Sequence, residues 1–242
     1  IVQENQYDRY DMRLNLNTSL SDKLQLNVKL SGNQANQEEP SAQRQGHELH
    51  SSVHGLVTMV TRLTPDIPGR KSDGTYGFIE THAPEAFLDS ESFYNRNSSY
   101  FVGSANLVWN VFKSLSISGK VGYRFEDIRS KAYGAETFIT DSYTLGPANL
   151  TVNNVINNDL NLEALVRYNK EFGEHGIQVL GGFSQETYTS EFMNSYRDVF
   201  PNNQLYELNA GSADNMQNSG NSSSWKLRSF FGRGNYSFGG KY

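Results

Sequence analysis

A chain of 242 residues with no cysteine and a formal net charge of −5 cannot form disulfides or thiolate metal sites, and it offers nucleic acid no basic face. Hydrophobic residues make up only 36%, yet aromatics reach 12%. Disordered chains lack such aromatics, and soluble helical proteins carry more Leu and Ala.

The opening "IVQENQYDRY" has neither the basic start nor the apolar core of a signal peptide. No apolar run approaches the roughly 18 residues of a membrane-spanning helix. The mean hydropathy of −0.62 still permits a transmembrane barrel, whose strands alternate apolar and polar residues.

Alternation begins at once. Tyr10, Met12, Leu14, Leu16, Thr18 and Leu20 oppose Asp11, Arg13, Asn15, Asn17 and Ser19. After "SDK" (21–23), Leu24, Leu26, Val28 and Leu30 oppose Gln25, Asn27, Lys29 and Ser31. Period 2 across a very short turn predicts a hairpin with one polar face. Further on, Leu56, Val60 and Leu63 suggest a helix that Pro65 stops, followed by turns at Pro68-Gly69 and Asp73-Gly74. The hairpin unit then recurs around "FKS" (112–114), "FGEHG" (172–176) and "GGK" (239–241).

The spacing predicts strands near 7–20, 24–36, 98–112, 115–130, 152–171, 176–194 and 225–238, with an eighth begun at Lys241-Tyr242. Short turns alternate with long polar segments, 37–97, 131–151 and 195–224. Outer-membrane barrels sort their connections this way, short on the periplasmic side and long outside. The three segments hold 14 acidic and 7 basic residues, so the rest of the chain is +2. That acidity fits solvated loops or a ligand role equally well. Phe112, Phe172, Tyr236, Phe238 and Tyr242 gather at turn-proximal strand ends, as in an interfacial aromatic girdle. Gly103, Gly119, Gly181, Gly232 and Gly234 share the apolar face, where small residues relieve crowding or mark loose packing. The fold class expected is all-β, an antiparallel transmembrane β-barrel segment with long extracellular loops. Seven strands do not close such a barrel, so 1–242 reads as part of one larger barrel domain.

Three stretches carry a family resemblance. The closing "FFGRGNYSFGGKY", the loop stretch "LVTMVTRLTPDIPGRKSDGTYGF" (56–78) and the early "YDRYDMRLNLNTSLSDKLQLNVKLSG" (7–32) resemble SusC/RagA-like TonB-linked outer-membrane transporters. The resemblance implies a 22-stranded barrel with an N-terminal plug in the bacterial outer membrane. It implies import of oligosaccharides or peptides driven by the TonB complex. It also implies a SusD-like surface lipoprotein acting as a lid. The plug and the TonB box match no part of this sequence. A small passive porin or adhesive barrel and an outer-membrane barrel enzyme are the alternatives.

Candidate chemistry is sparse. "HELHSSVH" places His47, His50 and His54 near one helix face, but the zinc-protease pattern His-Glu-x-x-His is absent, so no metal is assigned. His82 and His175 stand alone. His54 with Asp66 or Ser52 is a hydrolytic pair only on paper, and no catalytic residue is assigned. The glycines of "FFGRGNYSFGG" belong to a strand and its turn, not to a phosphate loop, and no cofactor is expected. Arg62, Asp73 and Tyr76 are the candidates for ligand or partner contact, because a long loop with its own helix and fixed turns is more often functional than slack. Arg13, Lys29, Arg124, Glu126, Glu163 and Arg167 are expected to point into a lumen.

Overall fold

Period-2 patterning becomes a single antiparallel sheet. The computed structural model describes residues 5–40, 53–79 and 83–240, and the backbone alone for residues 53–55. Strands β1 (Gln6–Ser21) and β2 (Leu24–Pro40) form the first hairpin around Asp22-Lys23. Helices α1 (Val53–Arg62) and α2 (Pro84–Leu88) lie in the long connection to β3 (Phe93–Phe112). After β4 (Leu115–Gly134), a two-stranded hairpin of β5 (Thr137–Thr140) and β6 (Tyr143–Leu145) precedes β7 (Asn149–Phe172), β8 (His175–Asp198) and β9 (Gln217–Phe238). The order in the main sheet is β1-β2-β3-β4-β7-β8-β9, so each of its strands neighbours the next in sequence.

All seven expected strands are present, and most run further toward the long connections than expected. β9 begins at Gln217 rather than near 225, and β8 continues to Asp198. The extensions carry polar residues on both faces, as in "QNSGNSSS" (217–224), yet Gln217–Ser224 stay paired with Thr189–Tyr196. Backbone pairing needs no alternation where neither face meets lipid. Lys241 and Tyr242 lie outside the described residues.

Directly opposed residues share a face, so the register sorts side chains across the whole sheet. One face carries Leu14 opposite Leu30, Leu107 opposite Leu26, Val121 opposite Leu162 and Phe183 opposite Phe230. Leu14, Leu107, Val121, Leu162 and Phe230 are exposed. The other face carries Arg13, Lys29, Arg124, Glu126, Glu163 and Arg167, all six as expected from the alternation.

The apolar band is slanted relative to the pairing. Along paired residues, Met12 leads through Gly32, Phe101, Phe125, Asn158 and Thr189 to Ser224. Met12, Phe101 and Phe125 mark the upper edge of the band, but on β9 that edge is Phe230, six positions nearer the turn than Ser224. The edge is level from β1 to β4 and drops between β4 and β9; averaged over the sheet the drift is about one residue per strand, about 3.3 Å along against about 4.8 Å across, a mean slant of about 35°. Transmembrane barrel strands tilt by about that much. A band of about nine residues per strand, such as Ile117 to Phe125, then covers roughly 25 Å along the tilted axis.

Phe112, Phe172, Tyr236 and Phe238 are exposed at the turn ends, where a girdle is expected. The glycines of the band divide. Gly119, Gly181 and Gly234 face open space, whereas a Cβ on Gly103 would meet Leu30 and the Phe101 ring at 3.0 Å.

Above the band the chain supplies its own apolar cover. Tyr133, Ala135, Ala148, Leu150 and Phe200 are buried together, with Phe93, Val152, Tyr206 and Leu208 against them. Phe93, Tyr133 and Leu150 are opposed in register on the band's face, so segment 199–216 folds onto that face. Tyr133 makes edge contacts with Phe200 and Tyr206 at 5.6 and 4.9 Å.

Candidate functional site

The loop residues named from sequence do not converge on one open site. α1 ends at Arg62, ahead of Pro65 as expected, but it buries Leu56 and Met59 while Val60 is exposed. Asp73 is occupied locally. Its Oδ1 accepts the Thr75 backbone N–H at 2.9 Å and the Thr75 hydroxyl at 2.7 Å, and Gly74 takes the positive φ the turn requires. Those bonds hold the Asp73 carboxyl below the usual carboxylate range.

Tyr76 is half-buried and tied at both ends. Its N–H donates to the Ile139 carbonyl at 3.1 Å, which joins the first loop to β5. Its hydroxyl accepts from Arg70 at 2.9 Å and donates to Asp89 at 3.1 Å, and the Arg70 guanidinium lies 4.5 Å from the ring centroid. Burial, and then the Asp89 carboxylate, push the Tyr76 phenol above its ordinary value. Arg70 also pairs with Asp89 and reaches Glu85 at 3.6 Å. This knot and the packing of Leu56, Met59 and Phe87 against Leu145 make one unit of the first two loops. Sequence reasoning missed Arg70, Glu85 and Asp89; the short Pro84-Glu85 helix start was the available signal.

His47, His50 and His82 lie outside the described residues, as does the side chain of His54, and among the described residues no cluster could hold a metal ion. His175 does not stand alone. Its Nδ1 is 2.7 Å from the Tyr236 hydroxyl, and its ring packs 5.0 Å from Phe238, both across the last hairpin.

The polar face holds the denser chemistry. Arg124 pairs with Asp159 at 2.8 Å. Asn157 donates to Glu126 at 2.9 Å and accepts from the Tyr188 hydroxyl at 3.0 Å. Tyr188 stacks on Trp225, with ring centroids 5.7 Å apart and planes 27° apart. Higher up, Asn194 donates to Asn153 at 2.6 Å. Cross-strand bonds of this kind fix side chains that water would otherwise leave mobile. A cleft of about 720 Å³ between β2–β4 and segment 204–207 belongs to the other side, where Lys131 meets Glu207 at 3.1 Å.

Comparison with known proteins agrees with this geometry. No family model matches the chain. TonB-dependent receptor P3 of Formosa agariphila is 24% identical over 252 residues, covering all of this chain and 24% of the relative. TonB-dependent receptor P26 of the same organism is 25% identical over 250 residues, with the same coverage. The chain is similar to TonB-dependent receptors. Its fold matches the solved RagAB peptide transporter with a TM-score of 0.73 at 17% identity, over 97% of this chain and 26% of that one. The RagAB peptide importer in its closed-closed state matches equally well at 18% identity. The similarity to TonB-dependent receptors therefore extends along the whole chain, and the likeness of fold to RagAB along 97% of it. The chain spans about a quarter of the length of the curated relatives it matches. Those relatives bear the names of receptors, not of enzymes.

Proposed function

We propose that this sheet is part of the wall of one outer-membrane β-barrel domain that imports nutrients, oligosaccharides or peptides, in a TonB-dependent manner. The observation that carries the reading is the slanted apolar band on one face, backed by a charged and amide-rich face on the other. Lipid covers the first and a polar lumen the second. Similarity to TonB-dependent receptors over the whole chain supplies the energised step. The SusC/RagA-like resemblance carries the partner, a SusD-like surface lipoprotein acting as a lid, and the closed-closed and open-open states of the RagAB peptide importer are consistent with one.

In this reading the unit built from the first two loops faces the lid. Asp73 and Tyr76 set its shape, because their polar atoms are already engaged within it. Arg62 and the exposed Val57 and Val60 of α1 supply contact surface.

The test is uptake by cells carrying the full-length protein, with and without TonB, together with identification of co-purifying chains. Uptake that stops without TonB and a co-purified lipoprotein support the proposal. Uptake indifferent to TonB would make the barrel a passive porin.

A further inference from the structure

Above the apolar band, its face carries five cations on the described strands: Arg129 and Lys131 of β4, Arg197 of β8, and Lys226 and Arg228 of β9. The first three are engaged. Arg129 pairs with Asp127 at 2.9 Å, Lys131 pairs with Glu207 at 3.1 Å, and Arg197 donates to the Gly211 carbonyl at 3.3 Å. The two on β9 differ, for neither meets a carboxylate among the described residues. Arg228 Nε donates to the Gln185 side-chain oxygen at 2.7 Å, and its terminal nitrogens have no partner among the described residues. Lys226 lies opposite Thr187 and is exposed. The first carboxylate on this face of β8 is Glu191, four residues above Thr187 and so about 13 Å from it. Glu186, opposite Leu227, belongs to the lumen face.

The pair stands at the edge of the band. On the same face of β9, Arg228 is one step above Phe230 and Lys226 is two, about 6.7 and 13 Å along the strand. Phe230 is 82% exposed, and its ring centroid lies 5.2 Å from that of Phe183. Just below these rings Gly181 opposes Gly232, so the wall there is bare of side chains. An ammonium, a guanidinium, the Gln185 amide and the Thr187 hydroxyl are thus grouped directly above an apolar strip.

We propose that Lys226 and Arg228 hold the phosphate of an outer-leaflet lipid headgroup against the barrel wall. An ionised phosphate oxygen accepts hydrogen bonds, and every group in this cluster can donate one. The two positive charges supply the attraction, and no carboxylate stands close enough on this face to compete for them. Long Lys and Arg stems lie along apolar surface while their charges reach headgroup level. A lipid suits the site better than a soluble phosphate, because its acyl chains continue onto Phe230, Phe183 and the bare strip beneath. The inference rests on the barrel-wall reading above and adds a site on the lipid side of that wall.

The experiment uses the full-length protein in phosphatidylcholine nanodiscs, with a fluorophore on Gly232→Cys and any other cysteine replaced. A Cβ at Gly232 meets only the Leu180 carbonyl, at an ordinary 3.5 Å. Quenching by chain-nitroxide phosphatidic acid is compared with quenching by chain-nitroxide phosphatidylcholine, which differs in the headgroup alone. Phosphatidic acid should be preferred roughly twenty-five-fold, about fivefold for each cation. Lys226→Gln and Arg228→Gln should each cut the preference about fivefold, and the double variant should remove it. Lys226→Arg should keep it. So should Arg129→Gln, which removes a cation already paired with Asp127. Millimolar inorganic phosphate, which has no chains, should leave the preference unchanged. A preference that survives the double substitution, falls equally with Arg129→Gln or is cancelled by free phosphate would overturn the inference. Equal quenching by both lipids would overturn it too, while leaving the barrel reading standing; quenching by neither removes both.

Discussion

One face of one sheet meets two different surroundings along its height. In the lower part, Leu107, Val121 and Leu162 stand exposed, with none of the described residues over them. In the upper part, Tyr133 and Leu150 on the same face are fully buried under segment 199–216. In the proposed barrel, apolar surface in the lower part is satisfied by the bilayer, and in the upper part by the chain itself. The two parts should therefore fail in different ways when damaged.

The largest effect is expected at the upper part. Tyr133→Ala removes the ring that Phe93, Phe200 and Tyr206 surround, and truncating a buried aromatic costs about 3–5 kcal/mol. Segment 199–216 should become open to protease or hydrogen exchange while membrane insertion continues. Leu162→Arg strikes the lower part. An arginine on the lipid face near midplane costs about 2–4 kcal/mol, and the barrel should lose its resistance to unfolding in detergent. Asn161→Arg, one residue away on the polar face, should be close to neutral in the same assay. If both positions respond alike, the separation of faces is wrong.

Smaller effects sharpen the contrast. Arg124→Ala breaks the pair with Asp159 on the lumen side, where water reaches the guanidinium, so a loss of about 1 kcal/mol or less is expected from denaturant titration. Burial, and then the charge of Glu91, raise the Tyr206 phenol. A raised native value means that the unfolded form ionises first as pH climbs. The contribution is whole below about pH 10 and is lost as pH rises through the native value. Segment 199–216 should loosen under alkaline conditions before the strands do. Asp73 has the opposite sign: its carboxyl is held low, so the 71–75 turn should keep its order above about pH 4 and lose it on further acidification. Amide exchange at Thr75 would report it.

The band was legible in sequence because alternation records two solvents, as at Leu24 to Leu30 and Ile117 to Phe125. The strand extensions were not, because above the band both faces meet water or loops, and "QNSGNSSS" has no period to read. The β5–β6 hairpin escaped notice inside a polar segment, because Phe138 and Ile139 are adjacent and break the alternation before the turn at Asp141-Ser142. Arg70 could not be joined to Asp89 from sequence, because 19 residues separate them and only the fold closes that distance. Tyr188, Phe192 and Tyr196 were visible as strand aromatics, but their alternation with Asn157 and Asn153 exists only in the register.

The central claim is that this sheet has a lipid face and a lumen face. Single cysteines can be placed one by one along β7 in the full-length protein, with any cysteine outside these 242 residues replaced, and spin-labelled in outer membranes. Labels at residues 160, 162, 164 and 166 should be accessible to oxygen and shielded from a polar relaxant, and labels at 161, 163 and 167 the reverse. Accessibility without a two-residue period, or with the two sets exchanged, would contradict the account.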